Sequence, residues 1–117
     1  MWLMTQHGFY SIVQKEPGVY HVRSRERQDI ENLVARVPLP TAHIIESSDS
    51  DYAVRILVDR TAVDAILAFF ARTLDYDNFK SRIDDTADQD HKPYHEIWQV
   101  LAKALGAYGR PGTRTPR

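Results

Sequence analysis

Gly8-Phe9-Tyr10-Ser11-Ile12-Val13-Gln14 and Val19-Tyr20-His21-Val22-Arg23-Ser24-Arg25 are two runs of β-forming residues joined through Glu16-Pro17-Gly18. Pro17 is preset for the first central position of a turn and Gly18 is free to take positive φ, so residues 8–25 read as a β-hairpin. Counting outward from that turn sets Val13 opposite Val22 and Ser11 opposite Ser24. Period-two alternation then puts Phe9, Val13, Tyr20 and Val22 on one face, the expected core side. Tyr10, Ile12, Gln14, His21, Arg23 and Arg25 fall on the other. Upstream, residues 2–5 extend the first strand, with Gly8 marking a bulge or bend.

Downstream, Ser24 is placed to cap a helix over residues 26–37, where Ile30, Leu33, Val34 and Val37 recur at helical spacing. Pro38 and Pro40 stop it. His43-Ile44-Ile45-Glu46 is a short strand, and Ser47–Asp51 a polar turn. Residues 52–58 then alternate, with Tyr52, Val54, Ile56 and Val58 opposite Ala53, Arg55 and Leu57. Asp59 or Thr61 caps a helix over 61–74 with Val63, Ile66, Leu67, Phe70 and Leu74 as its buried stripe. Asp75-Tyr76-Asp77-Asn78 restarts the chain as a short helix through Ile83, before an acidic loop with Asp84, Asp85, Asp88 and Asp90. Pro93 opens a last helix, on which Tyr94, Ile97, Trp98, Leu101 and Leu105 form an apolar stripe, and Gly106 ends it. Residues 107–117, rich in Gly, Pro, Thr and Arg, read as a disordered basic tail, which leaves 1–106 as one α+β domain.

The order β-β-α-β-β-α predicts a two-layer sandwich, an antiparallel sheet with helices on one face. Residues 19–74 supply most of a ferredoxin-like β-α-β-β-α unit. The 8–14 strand fills its vacant edge, which makes the arrangement a circularly permuted ferredoxin-like sheet.

Composition narrows the function classes. The chain has 117 residues, 43% hydrophobic and 26% charged, with no cysteine. One core is affordable at this length and two are not. Without cysteine there is no disulfide framework and no thiolate chemistry, which fits a reducing compartment, and the cytoplasm is the expected location. No apolar run approaches the roughly 20 residues of a membrane span, and Met1-Trp2-Leu3-Met4-Thr5 does not read as a signal peptide. The net charge of −1 divides into +3 on residues 107–117 (Arg110, Arg114, Arg117) and −4 on the rest. A body of that sign argues against duplex DNA binding driven by bulk charge, so any nucleic-acid contact needs a local basic patch.

Gly8-Phe9-Tyr10-Ser11-Ile12-Val13, Arg23-Ser24-Arg25, Asp51-Tyr52, Asp75-Tyr76-Asp77-Asn78-Phe79-Lys80 and Tyr94-His95-Glu96-Ile97-Trp98 together resemble a family of small uncharacterised bacterial proteins. The resemblance spans residues 1–105 or so. It implies a stand-alone bacterial protein and brings no activity and no site residue with it.

The expected binding surface is the open sheet face: Tyr10, Ile12, His21, Arg23, Arg25, Arg55 and Leu57. Basic groups beside aromatic and apolar ones suit single-stranded RNA, where Arg neutralises phosphate and rings stack on bases. They suit a homodimer or protein interface equally well, and the RNP pattern of RNA-recognition motifs is absent. The stripe on the last helix either completes a core or docks a partner. Asp75 and Asp77, two apart, lack the Gly and distal Glu of an EF-hand and fit a helix cap better. His91 and His95 are four apart among acids, but Pro93 between them puts His91 ahead of the helix, and HExxH is absent, so no metal is expected. His95 with Tyr94, Glu96, Asp75 or Asp77 could assemble an acid–base site only if tertiary geometry brought them together. No GxSxG, P-loop or GxGxxG is present, and no cofactor is called for. The sequence therefore leaves three readings, in order: a protein-interaction module that self-associates or binds another protein, an RNA-binding module, and a small enzyme around His95.

Overall fold

In a computed structural model, residues 1–39, 43–84 and 92–106 are described, Lys92 by its backbone alone. The elements are β1 (Trp2–Thr5), β2 (Gly8–Glu16), β3 (Val19–Ser24), α1 (Arg27–Arg36), β4 (Ile45–Glu46), β5 (Val54–Val58), α2 (Arg60–Arg72), α3 (Phe79–Asp84) and α4 (Lys92–Leu105). The strands form a five-stranded antiparallel sheet in the order β1-β2-β3-β5-β4. This is the expected α+β class, and the 8–14 strand does sit beside 19–25. The chain divides into two compact units, Met1–Asp77 and Asn78–Arg117, and the sheet, α1 and α2 belong to the first.

The hairpin departs from its expected register. At the turn Glu16 pairs with Val19, as a two-residue turn requires, but beyond it Gln14 pairs with Tyr20, Val13 with His21, Ile12 with Val22 and Ser11 with Arg23. Lys15 is the extra residue of a β-bulge, and one extra residue reverses every side chain beyond it. The expected pairs Val13/Val22 and Ser11/Ser24 are each off by one. Tyr10 and Ile12, expected on the open face, are core residues at 0% and 4% exposure. Phe9 and Val13, expected in the core, stand half-buried on the opposite face. Burying Ile12 instead of Val13 also suits the energetics, since a fully buried aliphatic side chain contributes about 1.5–3 kcal/mol.

The corrected register fills one face of the sheet with Tyr10, Ile12, Val22, Val54 and Ile56. Ile30, Leu33 and Val37 of the α1 segment and Val63, Ile66 and Phe69 of α2 close over the same face. Both helices thus lie on one side, as two-layer packing demands. The stripe of α2 includes Phe69 where Phe70 was expected to lead, and Leu74, beyond the end of the helix, is exposed.

Buried polar contacts fix the first connection of the sheet to both helices. Gly8 has φ of +151°, and its backbone lies so close to α1 that a Cβ would stand 2.4 Å from Asp29 Cγ. The Asp29 carboxylate, in the first turn of α1 where negative charge suits the helix dipole, accepts from the Phe9 amide at 3.1 Å. The Tyr10 hydroxyl lies 2.7 Å from the Asp29 carbonyl, and Asn32 Nδ2 donates to the His7 carbonyl at 2.9 Å. On the α2 side, Gln6 donates to the Thr73 carbonyl at 2.8 Å, and His7 Nε2 lies 2.9 Å from Thr73 Oγ1. The Thr73 hydroxyl donates to the Phe69 carbonyl, so His7 is the donor and its Nε2 carries the proton. Burial, and next the charge of Arg36, hold the His7 pKa below its usual 6.5, with Asp75 opposing.

Two caps differ from expectation. Glu26 is the N-cap of α1 and makes no side-chain cap bond, while Ser24 Oγ accepts from the Glu26 amide at 3.2 Å, one step outside the helix. Asn78, not Asp75 or Asp77, caps α3, accepting from the Ser81 amide at 3.0 Å. Asp59 caps α2 as expected, accepting from Ala62 at 2.9 Å. In the second unit Ile83 and Tyr94 are buried, and the Phe79 and Tyr94 rings stand 6.0 Å apart. The expected basic tail 107–117, and Asp85, Asp88, Asp90 and His91, lie outside the described residues.

Candidate functional site

On the non-core face the ladders align one residue from each strand in a single row: Trp2, Ser11, Arg23, Arg55 and Ile45. With strands about 4.8 Å apart, the row is roughly 19 Å long. A second row holds Val13, His21 and Leu57. Phe9 lies two residues before Ser11 on the same face, its ring centroid 6.4 Å from that of Trp2. Trp2 is 75% exposed and Leu57 40%. Of the seven residues expected to form the binding surface, His21, Arg23, Arg25, Arg55 and Leu57 are brought together here, and Tyr10 and Ile12 are not.

Tyr52 organises the arginines. Regular alternation begins only at Val54, so Tyr52 in the bend before β5 stands apart from the core cluster, contrary to the expected stripe. The guanidinium carbons of Arg23 and Arg25 lie 4.5 and 4.8 Å from its ring centroid. Cation–π attraction holds both charges against one aromatic surface. Arg23 Nη2 also donates to Ser11 Oγ at 2.8 Å, while its buried Nε meets no hydrogen-bond acceptor among the described residues. Arg25 Nη1 donates to the Asp51 carbonyl at 3.3 Å. Arg55 donates to Ser50 Oγ at 2.8 Å, to the Tyr52 carbonyl at 3.3 Å, and to His21 Nδ1 at 3.2 Å.

Every one of these acceptors is neutral. Among the described residues no carboxylate lies within ion-pair distance of Arg23, Arg25 or Arg55. Arg27, by contrast, pairs with Glu31 and Glu46, and Arg60 with Asp64. His21 accepts from Arg55 and is therefore neutral, with its proton on Nε2. Its pKa is held below 6.5 first by burial and then by Arg55, Lys15 and Arg23, with Glu16 opposing. The arrangement can neutralise an anion and stack against a planar group. It has no nucleophile–base pair.

A second candidate surface is α4. Ile97, Trp98, Val100, Leu101 and Leu105 are 37%, 41%, 65%, 49% and 65% exposed, although the sequence pattern alone is that of a core stripe. Lys80 Nζ lies 3.7 Å above the Trp98 ring. His95 Nε2 is 3.0 Å from Asp84 Oδ1, an exposed contact that lines none of the described clefts. Among the described residues no group of three or more His, Asp or Glu is placed to hold a metal ion. A cleft of about 560 Å³ beside the first turn of α2 is mainly apolar, and the one carboxylate lining it, Asp59, is engaged as a cap.

Trp2, Phe9 and the buried Tyr52 are the residues of this face that sequence reasoning missed. The first two depend on the bulge at Lys15, and Tyr52 on a strand that starts two residues late. Among the described residues no helix is long and apolar enough to cross a membrane. Compared with known proteins, the chain matches no family model, no curated sequence and no solved structure.

Proposed function

We propose that this chain is a non-enzymatic interaction module that self-associates through α4. The observation that carries the reading is the exposure of five large apolar side chains on one 14-residue helix. Each square ångström of such surface taken from water contributes about 25 cal/mol, and monomers rarely leave a contiguous apolar patch of this kind uncovered.

Charge complementarity favours a second copy of the chain as the occupant. Ile97, Val100, Leu101 and Ala104 follow the 3–4 spacing of a helix seam, with Glu96 and Lys103, seven apart, along one flank. In an antiparallel crossing Ile97 meets Val100 of the second copy and Glu96 meets its Lys103. Two-fold symmetry makes each contact twice. One helix per copy buries less than the roughly 1,600 Å² of a standard interface, so the association belongs to the weak, concentration-dependent class.

The test is sedimentation velocity over a wide concentration range. The parent chain should move from monomer to dimer, and Val100→Asp should stay monomeric with an unchanged circular dichroism spectrum. Glu96→Lys should weaken the dimer, and adding Lys103→Glu should restore it. A parent chain that is monomeric throughout refutes the proposal.

A further inference from the structure

We infer that the non-core face of the sheet is a binding site for single-stranded RNA, in which Arg23, Arg25 and Arg55 meet phosphates and Trp2 and Phe9 stack on bases. The inference is independent of the α4 contact and rests on three observations. The first is electrostatic. Arg23 and Arg55 are direct cross-strand partners, and like charges placed opposite one another are unfavourable. Elsewhere in the chain Arg27 and Arg60 have carboxylate partners, while Arg36 donates to the Asn32 carbonyl and Arg72 lies over the Phe69 ring. Arg23, Arg25 and Arg55 have none among the described residues, and Arg23 and Arg55 stand side by side where an outside anion would relieve their repulsion.

The second observation is geometric. Tyr52 holds Arg23 and Arg25 against one ring, and Ser50 and the Tyr52 carbonyl hold Arg55, so the guanidiniums are positioned before any ligand arrives. Positioned donors lose less conformational freedom on binding than free surface side chains do. Burial is the first cause of the lowered His21 pKa, and the further lowering by Arg55, Lys15 and Arg23 reflects the same positive charges.

The third separates single-stranded nucleic acid from polyanions without bases. The β-bulge puts Phe9 on this face, and β1 adds Trp2 at the end of the arginine row with its ring open to solvent. An acidic peptide needs cations and gains little from an open indole. An unstacked base has a planar face to place on it. A duplex hides that face, which selects single strands.

The experiment is a fluorescence-anisotropy titration with a labelled mixed-sequence single-stranded RNA at several salt concentrations. An RNA duplex and a poly-glutamate peptide serve as comparators. The Val100→Asp variant is run alongside the parent so that self-association does not enter the result. The single strand should bind, with log K falling against log salt at a slope of about −2 for three phosphate contacts. Arg23→Ala, Arg25→Ala and Arg55→Ala should each flatten that slope by about 0.7. Trp2→Ala, at an exposed position, should weaken binding about 5- to 150-fold at every salt concentration and leave the slope unchanged. Arg25 is exposed as well, so these last two variants keep the test valid if Arg23→Ala or Arg55→Ala disturbs the sheet. Absence of RNA binding, poly-glutamate or duplex binding as tight as the single strand, or indifference to Trp2→Ala would overturn the inference.

Discussion

Gly8→Ala should be among the most damaging single-methyl additions in the first unit. Two separate effects contribute. At φ of +151° an L-residue is strained whatever space surrounds it, at about 1–3 kcal/mol. The added Cβ would also stand 2.4 Å from Asp29 Cγ, 2.6 Å from its Oδ1 and 2.7 Å from its Cβ, distances that force something to move. If Asp29 turns away, the Phe9 amide loses a charged acceptor, worth about 1.5–3 kcal/mol, and the first turn of α1 loses its tie to the sheet. The sum is about 2.5–6 kcal/mol. Against a domain stability of about 5–15 kcal/mol, that is a large fraction of the total, or roughly 10–50 °C in Tm.

Gly18→Ala is the internal control. Gly18 also has positive φ, +78°, but a Cβ there meets nothing within 4 Å, so that variant shows strain alone. Urea denaturation followed by circular dichroism should place Gly8→Ala about 2 kcal/mol below Gly18→Ala. Combining Gly8→Ala with Asp29→Ala should cost less than the two separate losses added, because removing the carboxylate removes the two tightest contacts and leaves the one to Cβ at 2.7 Å. Equal losses for the two glycine variants would refute the reasoning.

The register and the two half-buried histidines give further expectations. Ile12→Ala should cost about 2–5 kcal/mol while Val13→Ala, on the other face, stays below about 1 kcal/mol, and urea midpoints would expose a wrong register by reversing that order. His7 and His21 both have pKa values lowered from 6.5, so between the unfolded and folded values the unfolded chain binds more protons. Stability should therefore be fully present above 6.5 and fall as the pH drops below it. Urea midpoints at about pH 7.5 and 5.5 should differ less in His7→Gln, and an unchanged difference would remove His7 from the explanation.

Much of this fold was legible because its signals are local. The hairpin turn at Pro17-Gly18, the alternation through Val54–Val58, the helical spacing of Ile30, Leu33 and Val37, and the Asp59 cap each need only a few residues of context. What escaped was the phase of β2. A turn fixes the register only next to itself, and nothing in Gln14-Lys15-Glu16 shows that one residue drops out of the ladder. The candidate site inherited that difficulty. Its arginines were visible because β3 and β5 were read in the right phase. The aromatic half was misassigned to Tyr10, because Phe9 and Tyr10 are adjacent and one residue decides which of them faces out. Tyr52 was hidden for a related reason, since alternation was extended two positions past the first residue that obeys it. The exposure of the α4 stripe depends on tertiary placement, which an amphipathic pattern does not encode.

The bulge also makes the hairpin unequally tolerant of length change. Lys15 acts as a spacer between a tip that follows the turn and a base that follows the interior. Excising it would close the hairpin with Glu16 still against Val19, Ile12 still against Val22, and no inward side chain displaced. The same excision anywhere from Phe9 to Val13 would turn part of the strand inside out. Loss of one residue is thus neutral at one position and ruinous a few ångströms away, so natural or engineered length variation in this hairpin should gather between Gln14 and Val19.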